Sequence, residues 1–151
     1  MDIRRAILAE ADSVADLWLR SRKASAPSIP PTVHSDEDVR QWFNEVVIPS
    51  REVWVADLHG DLVALMVLDG QWIDQIYVDP TVTGTGIGGT LVAHAKGLRP
   101  AGLKLWTFQG NLGARRFYEA HGFVATIRTE RDNEERAPDV CYEWRPSTSP
   151  A

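Results

Sequence analysis

Ile76-Tyr77-Val78-Asp79-Pro80-Thr81-Val82-Thr83-Gly84-Thr85-Gly86-Ile87-Gly88-Gly89-Thr90-Leu91 decides how the rest of the chain is read. Its first three residues end an apolar strand, Pro80 forces a turn, and a helix begins near Ile87. Gly84, Gly86 and Gly88 leave the intervening backbone without Cβ atoms, so main-chain N–H groups can approach a ligand closely. The first turn of the helix adds N–H groups with no partner inside the helix, at the positive end of its dipole. A strand, a bare turn and a helix start in this order make a cradle for an anion such as a phosphate or diphosphate.

Of two other glycine-rich phosphate sites, the P-loop fails outright, while a dinucleotide site, and with it a nicotinamide-dependent oxidoreductase, stays a third possibility that lacks two of its own requirements. A P-loop needs Lys directly after its closing glycine, where this chain has Thr90. Gly84, Gly86 and Gly89 satisfy G-x-G-x-x-G, but a dinucleotide fold also wants a carboxylate roughly 20 residues onward. No Asp or Glu occurs between residues 80 and 118, and Asp79 to Thr83 separate the glycines from the strand.

Outward from this stretch, Val53 to Asp57, Asp61 to Leu68 and Trp72 to Val78 read as three consecutive strands, the first two joined across Leu58-His59-Gly60. Ile87, Leu91, Val92, Ala95 and Leu98 mark the helix after the glycines, and Leu103 to Phe108 the next strand. Asn111 caps a helix through Ala114, Phe117 and Tyr118 that stops at Gly122. Phe123 to Thr129 and Val140 to Trp144 are final strands. Towards the N-terminus, Ile3 to Ile7 is a strand, a helix ends near Arg22, and a second helix capped by Ser35 or Asp36 carries Val39, Trp42, Phe43, Val46 and Val47 to Pro49-Ser50. The order predicts an α+β fold with local parallel crossings around the two later helices.

At 151 residues, 44% of them apolar, the chain is expected to form one domain. The apolar run from Leu62 to Leu68 is too short for a bilayer, and Met1 to Arg5 leads into a strand rather than a signal peptide, so the expectation is a cytoplasmic protein with no membrane partner. The one cysteine, Cys141, excludes an internal disulfide and a cysteine-based zinc site, and the four histidines lack metal-ligand spacing. The net charge is −5, yet Lys96, Arg99, Lys104, Arg115 and Arg116 fall in the carboxylate-free window. A basic field around the glycine turn suits a phosphorylated ligand, and the acidic remainder suits a cationic second substrate rather than nucleic acid.

Two motifs together resemble the GCN5-related N-acetyltransferases (GNAT), over almost the whole chain. Val78-Asp79-Pro80 followed by Thr83-Gly84-Thr85-Gly86-Ile87-Gly88 matches that family's strand, Val-x-Pro and Gln/Arg-x-x-Gly-x-Gly/Ala signature, except that Thr83 stands where Gln or Arg is usual. Asn111, Ala114, Phe117, Tyr118, Glu119, Gly122 and Phe123 match a second, Asn-x-x-Ala-x-x-Phe-Tyr-Glu-x-x-Gly-Phe. Trp106-Thr107-Phe108-Gln109 and the loop with Asn133, Glu134, Glu135, Pro138 and Asp139 also look like small bacterial members.

The resemblance implies a single-domain fold over residues 1–146, with a loose tail at 147–151. It implies a mostly antiparallel twisted sheet of about seven strands flanked by about four helices, splayed at the strand before the glycine turn. It implies acetyl coenzyme A as cosubstrate and direct acetyl transfer, through a ternary complex, to an amine of a small molecule or peptide by a monomer or homodimer. A non-catalytic coenzyme A-binding sensor or interaction module is the alternative. Ile76, Tyr77 and Val78 backbone groups are assigned to pantetheine and thioester, where one N–H could polarise the thioester carbonyl. Thr83, Gly84, Thr85, Gly86, Ile87 and Gly88 are assigned to the diphosphate, and Asn111, Ala114 and Tyr118, on one helix face, to the same channel.

Tyr118 is the implied general acid for the departing sulfur, against a purely packing aromatic. Asp74 is the one carboxylate on the strand Trp72 to Val78; it is either a base acting through water or a solvated strand start. Period-two alternation places it with Trp72, Ile76 and Val78. His34 is expected either near the acceptor entrance or simply exposed on its loop, His59 on a hairpin, His94 and His121 on helix surfaces, and Trp18 and Trp42 in the core or, alternatively, as walls of an acceptor pocket. Glu134 and Glu135 could draw a cationic acceptor.

Overall fold

The computed structural model describes residues 1–26, 29–130 and 137–147. Asn133, Glu134 and Glu135 and most of the tail lie outside the described residues.

Strand β1 (Asp2–Arg5) leads into helix α1 (Ala11–Ala24). Helix α2 (Asp36–Trp42) is capped by the Ser35 hydroxyl, which accepts from the Asp38 N–H at 3.1 Å. The one helix expected here continues instead through a π-helical turn, Phe43–Val47, into a last turn, Ile48–Ser50. Strands β2 (Glu52–Leu58), β3 (Asp61–Asp69) and β4 (Trp72–Val78) follow as antiparallel neighbours. Helix α3 (Ile87–Leu98), β5 (Leu103–Phe108), α4 (Leu112–Ala120), β6 (Val124–Thr129) and β7 (Asp139–Trp144) complete the chain.

The seven strands run β1-β2-β3-β4-β5-β7-β6, and every neighbouring pair is antiparallel except β4 and β5. Both later helices make parallel crossings, but the second skips a place in the sheet, which β7 fills. Helices cover both faces. On one, Val14, Leu17 and Trp18 of α1 and Phe43 pack on Leu65 and Val67; on the other, Leu91 and Val92 of α3 pack on Met66, Leu68, Leu103 and Tyr142. β3 feeds both cores, which explains why its apolar run is unbroken rather than alternating.

The parallel β4–β5 pair determines the site. It is joined only at Trp72↔Lys104 and Ile73↔Leu105, whereas β5 pairs with β7 from Leu103 to Phe108. Past Ile73 the sheet splits.

Candidate active site

A cleft of about 1010 Å³ occupies the split, between β4 and β5, the second half of α1, the glycine turn and α4. The β3–β4 ladder decides what its edge offers. The Asp79 N–H donates to Val63 O at 2.8 Å, and hydrogen-bonded pairs alternate in an antiparallel ladder. With Ala64↔Val78, Leu65↔Tyr77 and Met66↔Ile76 as partners, Ile76 and Val78 turn their backbone groups towards the gap. Tyr77, expected to do the same, has its backbone engaged by Leu65. It enters the cleft by its side chain, whose ring packs on Trp18 at 6.0 Å.

The turn after β4 is locked by a buried carboxylate. Asp79 accepts from the Thr81 N–H (2.9 Å) and hydroxyl (2.7 Å) and pairs with Arg20 of α1 at 2.8 Å. Burial alone would raise its pKa; the bonds from Thr81 and Arg20 outweigh it and hold the carboxyl below the usual range. The chain then passes Gly84 (φ +80°) and Gly86 (φ +88°), both in the left-handed region. No side chain caps Gly86, and Thr90 N–H makes a 3.1 Å bond to Gly86 O. The N–H groups of Ile87, Gly88 and Gly89 therefore have no partner within α3. Gly88 serves packing instead: a Cβ there would meet the Phe117 ring at 3.3 Å.

Thr83, Gly84, Gly86, Ile87 and Gly88 border the cleft, as do Asn111, Ala114 and Tyr118. Thr85 does not; its hydroxyl folds back on Val82 O at 2.5 Å. Asn111 caps α4, its Oδ1 accepting from the Ala114 N–H at 3.3 Å. The basic field expected around the glycines is also absent from the lining. Lys96 donates to His121 O, Arg99 pairs with Glu52, Lys104 lies over Trp72, and Arg115 donates to the Tyr142 hydroxyl. The cradle relies on main-chain donors.

Tyr118 is buried among Phe117, Phe123 and Tyr142, at ring distances of 5.3, 5.8 and 6.1 Å, yet it borders the cleft. Its hydroxyl has no hydrogen-bond partner among the described residues. Burial, then the neighbouring Tyr77, push its pKa above the ordinary 10, so the phenol keeps its proton. Behind it, the Tyr142 hydroxyl donates to Glu119 at 2.6 Å and accepts from Arg115 at 3.1 Å.

Asp74 is exposed near the start of β4, as the solvated alternative had it, but it is not on the face expected with Ile76 and Val78. The register jumps between Val67↔Gln75 and Leu68↔Ile73, so Asp74 is the extra residue of a β-bulge. The bulge puts Ile73, not Asp74, in one cluster with Ile76 and Val78. Asp74 turns to the opposite face and pairs with Arg51 at 2.5 Å while still bordering the cleft. Burial raises its pKa, partly offset by Arg51.

Ser21, Arg22 and Ser25 of the α1 end, and Trp106 and Thr107 of β5, also border the cleft without having been read from the sequence as site residues. Trp18, Ser21 and Arg22 stand at i, i+3 and i+4, so a buried Trp18 already implied that the other two face inward. Ser21 donates to Val78 O at 3.2 Å, Arg22 to the Tyr77 hydroxyl at 3.4 Å, and Trp18 to Gln75 Oε1 at 3.0 Å. His94 and His121, expected on helix surfaces, are half-buried against Trp54 (4.4 Å) and Phe117 (4.5 Å). His34 is exposed. Among the described residues no His, Cys, Asp and Glu cluster could hold a metal ion, and no helix is long and apolar enough to cross a membrane.

Comparison with known proteins gives the arrangement a family. The model of the acetyltransferase (GNAT) domain matches residues 49–125. The peptidyl-lysine N-acetyltransferase YjaB of Escherichia coli (strain K12) is 33% identical over 135 residues, 88% of each chain. YiaC of the same organism, also named a peptidyl-lysine N-acetyltransferase, is 27% identical over 143 residues, 94% of this chain and 95% of that one. The solution structure of apo YjaB superposes with a TM-score of 0.77 at 28% identity, covering 95% of this chain and 96% of that one. YncA of Salmonella typhimurium, solved with acetyl-CoA, has the same fold, with a TM-score of 0.70 at 17% identity over 100% of this chain and 96% of that one. The splayed β4–β5 pair, the main-chain cradle and the family match agree, and the chain belongs to the GNAT family of acetyl-CoA-dependent N-acetyltransferases.

Proposed function

We propose that this enzyme acetylates the ε-amine of lysine side chains on other polypeptides. The carrying observation is the Tyr118 phenol, without a hydrogen-bond partner among the described residues, at a cleft whose strand edge and helix start both offer main-chain donors. The names of the relatives support lysine as the acceptor.

The site fits the cosubstrate on its own chemistry. The outward-turned groups of Ile76 and Val78 suit an extended pantetheine arm, bound as an added strand would be. The N–H groups from Gly84 to Gly88 suit the diphosphate, and Thr83 contributes no long side chain. Asn111 and Ala114 border the same channel, while Tyr77 contributes its ring. Acetyl-CoA bound there supplies an acetyl thioester activated for transfer.

Tyr118 holds the proton that the leaving sulfur takes. The Ile76 or Val78 N–H polarises the acetyl carbonyl. Asp74, its basicity raised by burial, removes the ammonium proton of the lysine directly or through one water, since an ammonium has no lone pair with which to attack. In this reading residues 1–146 form the catalytic domain, acting as a monomer or a homodimer. A cytoplasmic location is part of the same proposal.

The test is coenzyme A release with lysine-containing peptides, with mass spectrometry locating the added acetyl group. Acetylation at Nε carries the proposal; release only with small amines, or only acetylation of peptide N-termini, defeats it.

A further inference from the structure

Two indoles stand exposed beside the mouth of the cleft. Trp72 opens β4 and pairs in register with Lys104, two residues before Trp106 on the same face of β5. Their ring planes are 4° apart with centroids 6.5 Å from each other, and the two residues are 37% and 43% exposed. Aromatic area left in water forgoes burial worth about 25 cal/mol per Å². A flat, rigid pair turned outward is therefore poor use of two tryptophans unless something covers it. The shelf continues across the sheet: Trp106, Cys141 and Ile127 are register partners on β5, β7 and β6, and Ile127 is 55% exposed. Among the described residues, α1 and the Phe43–Val47 turn pack on β2, β3 and β4; on this part of the same face Trp106 and Ile127 are exposed while Cys141 between them is buried.

Position and charge both select an occupant. Trp106 and Asp74 border the cleft, so the shelf runs without a break into the site. Asp69, at the end of β3 and the register partner of Trp72, and Asp74, which Arg51 pairs, place carboxylates beside it. Lys104 Nζ lies 5.8 Å over the Trp72 ring, so that indole already carries one cation, whereas Trp106 has no such partner among the described residues and is the indole open to an incoming ammonium.

We infer that the Trp72–Trp106 shelf is the docking surface for the polypeptide bearing the acceptor lysine. A basic, extended segment lies across the indoles and leads its lysine past Asp74 towards Tyr118. This inference rests on the lysine reading above and adds to it the surface that selects a polypeptide over a free amine.

A fluorescein-labelled peptide of Gly-Lys-Ser repeats tests it by anisotropy, using the full chain and its Trp72→Ala, Trp106→Ala and Trp106→Phe variants. The expected result is about tenfold weaker binding in each alanine variant, with recovery in the phenylalanine variant. Asp69→Lys, at an exposed strand end, reads the charge contribution without touching the indoles and is also expected to weaken binding. Unchanged affinity in both alanine variants overturns the shelf, as does a wild-type protein that fails to bind the peptide. A wild-type dimer that Trp106→Ala dissociates, with peptide binding untouched, assigns the shelf to a second copy and overturns it too. Shelf-dependent binding of a peptide that is never acetylated supports the shelf and removes only the lysine-acceptor reading.

Discussion

Arg20 reaches from α1 to Asp79, at the end of β4, across 2.8 Å, although 59 residues separate them in sequence. The pair fastens the first helix to the turn that presents the glycines. The same helix contacts β4 through Ser21 to Val78 O and Trp18 to Gln75, so its second half acts as a brace along one wall of the cleft.

Asp79→Ala removes a buried carboxylate that caps the Pro80–Val82 turn, and is expected to destabilise the fold by about 1–2 kcal/mol. It should also raise the KM for acetyl-CoA, because the glycines lose their anchor. Asp79's folded pKa lies below its unfolded value near 3.8. Its contribution is therefore full above that value and disappears as pH falls through the folded pKa. Urea unfolding of both proteins checks this: their stabilities should differ at pH 7 and converge in strong acid.

Tyr118→Phe keeps the ring packing and removes a hydroxyl with no hydrogen-bond partner among the described residues, so the melting temperature should barely move. Turnover should fall about 10²-fold with acetyl-CoA affinity preserved. Because burial raises the phenol's pKa above 10, Tyr118 imposes no alkaline loss of kcat below that pH. Steady-state kinetics over pH with calorimetric titration of acetyl-CoA reads all three; a variant with wild-type turnover removes Tyr118 from the chemistry.

Gly86→Val forces a β-branched residue to φ +88° at the start of α3. Left-handed backbone costs an L-residue about 1–2 kcal/mol, and the added side chain crowds the N–H groups offered to the diphosphate. Acetyl-CoA should no longer raise the melting temperature of this variant, whereas it raises that of the wild type. Normal affinity by calorimetry would place the diphosphate elsewhere.

Asp74→Asn tests the base. Burial raises the Asp74 pKa above 3.8, so the active, ionised form is lost as pH falls through a value higher than that of an exposed aspartate. The wild type should show this acid limb in kcat/KM, and the asparagine variant should lose the limb together with about 10² in rate. A variant that keeps the wild-type rate and limb leaves Asp74 as the partner of Arg51 alone.

Much was legible in the chain because it depends on neighbours a few residues away. The ends of β4 and β5, the Asn111 cap, the turn at Pro80 and the anion cradle follow from periodicity, capping and missing Cβ atoms. The motifs carried the family as well. What only the tertiary structure decided depends on segments far apart: β7 entering between β5 and β6, and the Asp74 bulge set by pairing with β3. Packing also brings the α1 end into the cleft and keeps Lys96, Arg99, Lys104, Arg115 and Arg116 out of its lining. Local spacing determines which groups a segment can offer; the pairing of distant strands determines which of those groups face the site.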